Sequence, residues 1–144
     1  MQDKTVNTRN IKSFVKTMKI IHTSKVPEPV GHYSQAIVHN GLVFISGMLP
    51  VDPSTGERQI GSVEQQTTLI LTNLKNLLKD AGSDMNHVLN VRIYLSDVVH
   101  WAKVNQIFAE MFGRHKPTRS IIPTSSLHYG FNVELDAIAA VKRK

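Results

Sequence analysis

Gln35-Ala36-Ile37-Val38-His39-Asn40-Gly41-Leu42-Val43-Phe44-Ile45-Ser46 is the stretch that decides the fold. Two β-rich runs, 35–39 and 42–46, flank Asn40-Gly41. Asn and Gly both accept the positive φ of a tight two-residue turn, so this dipeptide between apolar runs predicts an antiparallel hairpin. Upstream, residues 19–22 read as a short strand, and Pro27 and Pro29 then force an extended connection. Downstream, residues 47–61 are a loop rich in Pro, Gly, Asp and Ser, with a turn at 52–56. Ser62 stands where a helix N-cap belongs, with Glu64 and Gln65 in the first turn. Val63, Thr67, Ile70, Leu74, Leu77, Leu78 and Ala81 recur at helical spacing, and Gly82 ends the run.

Residues 87–95 alternate. His87, Leu89, Val91, Ile93 and Leu95 form a set directed to a core, against Val88, Asn90, Arg92 and Tyr94. A second helix covers 99–112, with Val104, Ile107, Phe108 and Met111 on one stripe and Gly113 at its end. A strand starting near Arg119 and a last strand over 132–141 close the chain. This order predicts an α+β fold, a mixed sheet with two helices on one face. One helix layer leaves the second face of the sheet bare, so that face is expected to pack on other subunits.

The composition bounds the function. With 144 residues and 41% hydrophobic content, residues 18–144 make a single domain with enough core to fold unaided. The chain has no cysteine, which excludes disulfides, thiolate metal sites and a cysteine nucleophile. No apolar run approaches the roughly 18–20 residues that span a bilayer. The net charge of +6 sits at the ends. Lys4, Arg9, Lys12 and Lys16 face a single acid, Asp3, in residues 1–17, and Lys142-Arg143-Lys144 closes the chain. Basic and acidic residues balance in between, which argues against a nucleic-acid module. Segment 1–17 reads as a disordered or organelle-targeting extension. The expected location is cytoplasmic, or an organelle if that segment is an address.

Two side chains suggest chemistry. Arg119 follows Lys116-Pro117-Thr118, where a strand begins, and its planar fork suits a carboxylate. Glu134 stands between Val133 and Leu135 in the last strand. Together they suit small-acid chemistry, one to hold the acid and one to move protons; a structural ion pair is the plainer reading. Asp136, two residues on, shares the Glu134 face and can raise its pKa by like charge. The seven histidines show no chelating spacing.

The chain resembles the reactive intermediate deaminases, the Rid or YjgF-like family, also known as L-PSP endoribonucleases. The resemblance runs over 18–141. It is carried by Gly31-His32-Tyr33-Ser34-Gln35-Ala36, Phe44-Ile45-Ser46-Gly47-Met48-Leu49-Pro50, Val104-Asn105, Pro117-Thr118-Arg119-Ser120 and Val133-Glu134-Leu135-Asp136-Ala137-Ile138-Ala139. It implies a chorismate-mutase-like homotrimer with clefts between subunits. It also implies hydrolysis of 2-enamine and 2-imine acids, such as 2-iminobutanoate and 2-iminopropanoate, to 2-oxo acids and ammonia, without cofactor or metal. By position, Arg119 would bind the substrate carboxylate and Glu134 would activate water. Tyr33, Ser46, Gly47 and Asn105 would line the cleft, and the backbone of Ile121 would complete substrate binding. Ile121, His32 and His128 depart from the residues usual at their positions. A non-catalytic trimer binding small molecules or proteins, and an endoribonuclease or translation inhibitor, are the alternative functions on the same fold.

Overall fold

The structure, a computed structural model, describes residues 18–143, so the basic segment 1–17 and Lys144 lie outside the described residues. Six strands make one sheet: β1 (Lys19–Ile21), β2 (Ala36–His39), β3 (Leu42–Met48), β4 (Val88–Leu95), β5 (Thr118–Pro123) and β6 (Val133–Ala140). Helices α1 (Val63–Asp80) and α2 (Trp101–Phe112) pack together over one face of it. The strand order is β1-β2-β3-β6-β4-β5. β4 and β5 run parallel, joined through α2, and the other pairs are antiparallel. The expected α+β architecture, with its mixed sheet and single helix layer, is the one observed.

Local chemistry explains the elements. Asn40 and Gly41 hold φ of 49° and 77°, the pair of positive values that a type I′ turn needs. At the head of α1 the Ser62 side chain accepts from the Gln65 amide at 3.2 Å, and Gln65 Oε1 accepts from the Ser62 amide at 3.0 Å. This reciprocal capping box satisfies two amides that the helix cannot. At its tail the Ser83 amide reaches the Leu78 carbonyl at 2.8 Å and the Gly82 amide reaches Lys79 at 3.2 Å, with Gly82 at φ 78°. These are the two bonds of a Schellman cap.

The covered face holds the core. Ile70, Leu71, Leu74, Leu77 and Leu78 of α1 and Val104, Phe108 and Phe112 of α2 pack on Val43, Ile45, Val91, Ile93, Leu95, Val133, Leu135, Ala137 and Ala139. On the open face Ile20, Phe44 and Ile122 are exposed, as is Arg92, beside half-buried Tyr94. Nothing within the described residues covers that face.

The strand alternation fails at one point. Val88 is buried and Leu89 is 45% exposed, the reverse of the predicted parity. Val88 pairs with Ala139 and Asn90 with Ile138, so Leu89 is an extra residue on β4. That bulge resets which side chains face the core. His87 belongs to a 3₁₀ turn (Met85–His87) ahead of β4, with its Nδ1 2.6 Å from Asp84 Oδ1. Val98–His100 is likewise a 3₁₀ turn, so α2 begins at Trp101 rather than Val99.

An added Cβ at Gly82 would meet only Val141 Cγ1 at 3.6 Å, so the demand for glycine there comes from φ and not from space. Gly82→Ala is expected to cost about 1 kcal/mol and to lower the thermal midpoint by about 3–5 °C. An unchanged midpoint in calorimetry would remove the cap from the account of how α1 ends.

Candidate active site

The site residues fall into two groups, and the sheet separates them. The first is Arg119, Asn105 and Ile121, on the helix side at the β5 edge. Arg119 is paired across the sheet with core residue Val91, so its side chain points to the α2 side. There Arg119 Nη2 donates to Asn105 Oδ1 at 2.9 Å. Its guanidinium lies 4.8 Å from the centre of the Phe108 ring and 5.9 Å from that of Trp101. Partial burial lowers its pKa from the ordinary value, and it stays cationic because a guanidinium does not titrate in proteins. One amide carbonyl and two aromatic faces thus fix the fork and leave most of its donors for a ligand. Ile121, two residues on, packs against the core.

The second group is Glu134, Gly47, Ser46 and Tyr33. Glu134 pairs with Tyr94, on the open face. Its partner strand β3 carries a bulge there: Ile45 faces Ala137, but Met48 faces Leu135, so one residue too many lies between them. Gly47 sits in that bulge. A Cβ on Gly47 would come within 2.5 Å of Glu134 Oε1, so the absence of a side chain is what admits the carboxylate. Ser46 Oγ donates to the Ser34 carbonyl at 2.6 Å, which ties the hydroxyl to the backbone. The Tyr33 hydroxyl accepts from the Val30 amide at 3.4 Å, and its ring remains exposed. A cavity of about 360 Å³ is lined by Tyr33, Ser46 and Gly47, and also by Arg58 and Tyr129.

Glu134 is raised above the usual carboxylate range, first by burial; His128 opposes the shift and Asp136 adds to it. Like charge from Asp136, the cause expected from spacing, is a lesser contributor than desolvation. No hydrogen bond between described residues reaches the Glu134 carboxylate, and it makes no ion pair with Arg119. The structural Arg–Glu pair is therefore absent within the chain. Arg119 and Glu134 stand two strands and three register positions apart, on opposite faces. At roughly 4.8 Å per strand and 3.3 Å per residue their Cα atoms are about 14 Å apart. Within one chain the two groups do not meet.

Several contributors escape the sequence. Gln35 is buried and accepts from the Thr23 amide at 2.8 Å, while its Nε2 donates to the Thr23 and Pro27 carbonyls at 3.0 and 3.1 Å. It pins the connection that forms one wall of the cavity. Its place inside the Gly31–Ala36 stretch is the only hint in the sequence. Trp101 and Phe108 flank Arg119 because α2 crosses β5, a tertiary relation with no local mark. Among the described residues no three His, Asp or Glu side chains cluster to hold a metal, and no helix is long and apolar enough to cross a membrane.

Fold and site together define an α+β protein of the YjgF-like class, with a seated arginine and a desolvated glutamate. The family model described as Endoribonuclease L-PSP matches residues 23–141. A RutC family protein of Pyrococcus abyssi is 40% identical over 121 residues, 84% of this chain and 95% of that protein. The 2-iminobutanoate/2-iminopropanoate deaminase of Bos taurus is 36% identical, covering 84% and 88%. The crystal structure of E. coli TdcF with bound serine superposes with a TM-score of 0.81 at 31% identity, covering 86% of this chain and 99% of that one. The chain belongs to the L-PSP endoribonuclease family, the Rid or YjgF-like proteins.

Gly47→Ala is expected to separate activity from folding. The atom it meets is the far end of a flexible side chain, so Glu134 can swing aside and the fold survives within about 1 kcal/mol. Activity that depends on the placed carboxylate should fall at least tenfold. Wild-type turnover in the alanine variant would show that the close approach has no catalytic meaning.

A raised Glu134 pKa also has a signed consequence for stability. The folded state then binds the proton more tightly than the unfolded chain, so ionisation at neutral pH opposes folding and the opposition disappears in acid. Glu134→Gln should raise the thermal midpoint at pH 7, with the gain shrinking as the pH falls toward the ordinary glutamate value of 4.5 and absent below it. A lower midpoint at pH 7 would contradict the assignment of a desolvated, unpaired carboxylate.

Proposed function

We propose that the protein is a cofactor-independent hydrolase of 2-imino and 2-enamino acids, working as a homotrimer whose sites form between subunits. The observation that carries this reading is the separation just described. Arg119 is held ready by Asn105 on one surface, and Glu134 is desolvated beside Gly47 on another. Neither has a partner of opposite charge within the described chain. A ring of copies bringing one surface against the other completes an acid-binding, proton-moving site at each contact. The bare sheet face, with Phe44 and Ile20 exposed, supplies apolar area for such an assembly. The deaminase name of the bovine relative and the serine in TdcF support a small amino-acid-like ligand.

The chemistry asks little of the protein. An imine carbon is already electrophilic, so orientation and one proton shuttle suffice. Arg119 binds the substrate carboxylate through the donors that Asn105 leaves free. Glu134 takes a proton from water as the oxygen adds to the carbon of the protonated imine, giving a neutral carbinolamine. It then returns the proton to nitrogen; the C–N bond breaks, the hydroxyl proton leaves, and 2-oxo acid and ammonia are released. Burial lifts the Glu134 pKa above its ordinary value, which makes its carboxylate a stronger base than an exposed one.

Mixing two inactive variants tests both assembly and chemistry. Arg119→Ala and Glu134→Gln should each lose nearly all turnover of 2-iminobutanoate generated in situ by threonine dehydratase, followed as 2-oxobutanoate. Arg119→Lys should also fail, since a point charge cannot replace the fork. Refolded together in equal amounts, the Ala and Gln variants should recover about a quarter of wild-type activity, because random assembly pairs an intact Arg119 with an intact Glu134 at that fraction of intersubunit sites. No recovery from a mixed oligomer would mean that the two residues do not meet between subunits. A monomer in sedimentation at micromolar concentration would sink the assembly outright.

A further inference from the structure

The wall of the cavity holds an arginine that the hydrolysis does not use. Arg58 lies beyond the turn at 52–56, and its backbone is fixed by the bridge Val51↔Arg58. Its guanidinium stacks 3.5 Å from the centre of the Tyr129 ring. Tyr129 is held there at a cost. It adopts φ 57°, uncommon for a bulky residue, and meets the fully buried Phe131 edge-on, with ring centres 5.9 Å apart. A guanidinium stacked flat keeps its in-plane N–H donors free, and those are the donors that grip a carboxylate. No hydrogen bond or ion pair between described residues uses the Arg58 side chain.

The other charges on the cavity wall are already engaged. Glu28 is 2.8 Å from His22 Nε2, and Asp52 accepts from the Ser54 amide and hydroxyl and the Thr55 amide. Arg58 is thus the uncommitted charge among the lining residues, in a cavity that also passes Ser46 and Gly47. Its volume of about 360 Å³ is many times the roughly 30 Å³ of one water molecule, far more than a methyl or ethyl substituent fills.

We propose that Arg58, seated on Tyr129, recognises a second carboxylate, so that the site prefers 2-imino dicarboxylic acids to 2-imino acids with alkyl side chains. The inference rests on the imine-hydrolase reading for the reacting end of the substrate, with the side chain running from Gly47 along the cavity. It makes the class of reaction that supplies the substrate an oxidation or elimination on an acidic amino acid.

The test compares kcat/KM for 2-iminoglutarate, generated by glutamate oxidase, with that for 2-iminobutanoate, in wild type and in Arg58→Gln, Arg58→Lys and Arg58→Glu. Loss of one charge-assisted pair should cut the dicarboxylate-to-alkyl ratio about tenfold in Arg58→Gln. Lysine should restore part of it, and glutamate should invert the preference. In parallel, fluorescence of Trp101, the sole tryptophan and a neighbour of Arg119, is titrated with 2-oxoglutarate and 2-oxobutanoate. Hydrolysis of both imines with a ratio unmoved by Arg58→Gln overturns this inference and leaves the hydrolase reading intact. Hydrolysis of neither imine, with tight 2-oxoglutarate binding that weakens in Arg58→Gln, overturns the hydrolase reading and keeps the second anion position. Equal affinity for the two oxo acids, unaffected by the variant, overturns the position itself.

Discussion

The alternation of β6 is the constraint on which the rest depends. This strand lies between β3 and β4 and pairs with both, so its parity is fixed from two sides at once. Val133, Leu135, Ala137 and Ala139 are buried against the helices, and Glu134, Asp136 and Ile138 must then look the other way. A slip of one residue would drive two carboxylates into the core and expel four apolar side chains, so the register has no near competitor. The position of Glu134 on the open face is therefore a consequence of core packing, secured by residues that never touch a ligand.

The same rigidity places Arg119 on the opposite side. β5 runs parallel to β4 and sets Arg119 beside Val91, which commits it to the helix layer, where Asn105, Phe108 and Trp101 receive it. A sheet is too stiff to bring two such groups together by local adjustment. The arrangement thus leaves the two groups apart in each copy, and in the proposed trimer rotational symmetry joins the two unlike surfaces into a closed set. The bulge at Ser46 and Gly47 opens the strand beside Glu134 and gives the cavity part of its wall.

Much of this was legible in the sequence, and the reasons are local. Asn40-Gly41 signals its own turn, Ser62 with Gln65 its own cap, and Gly82 its own helix end, because each demand is met within a few residues. The stripes of α1 and α2 follow from a period. What stayed hidden depends on pairing. A bulge such as Leu89 leaves no compositional trace when both parities of the strand carry apolar residues. Whether Arg119 and Glu134 share a face depends on how β4 aligns with two different neighbours, which neither strand encodes alone. Arg58 reads as an ordinary residue after a turn until Tyr129, some seventy positions later, is seen beneath it.

Glu134 and Asp136 show how one strand face separates two identical charges. Asp136 accepts from Arg92 Nε at 2.9 Å and from the Tyr94 hydroxyl at 2.8 Å, and that hydroxyl is itself lifted above its ordinary pKa, first by burial and then by this bond. Each of its oxygens thus carries a bond, and its charge faces the Arg92 guanidinium. Glu134, two residues away, has no such donor among the described residues. Burial is the leading cause that raises the Glu134 pKa. Of the two carboxylates, Glu134 is the one whose oxygens accept no bond from the described residues. That difference, set by Arg92 and Tyr94 on one side and by the missing side chain of Gly47 on the other, makes Asp136 part of the scaffold and leaves Glu134 available for chemistry.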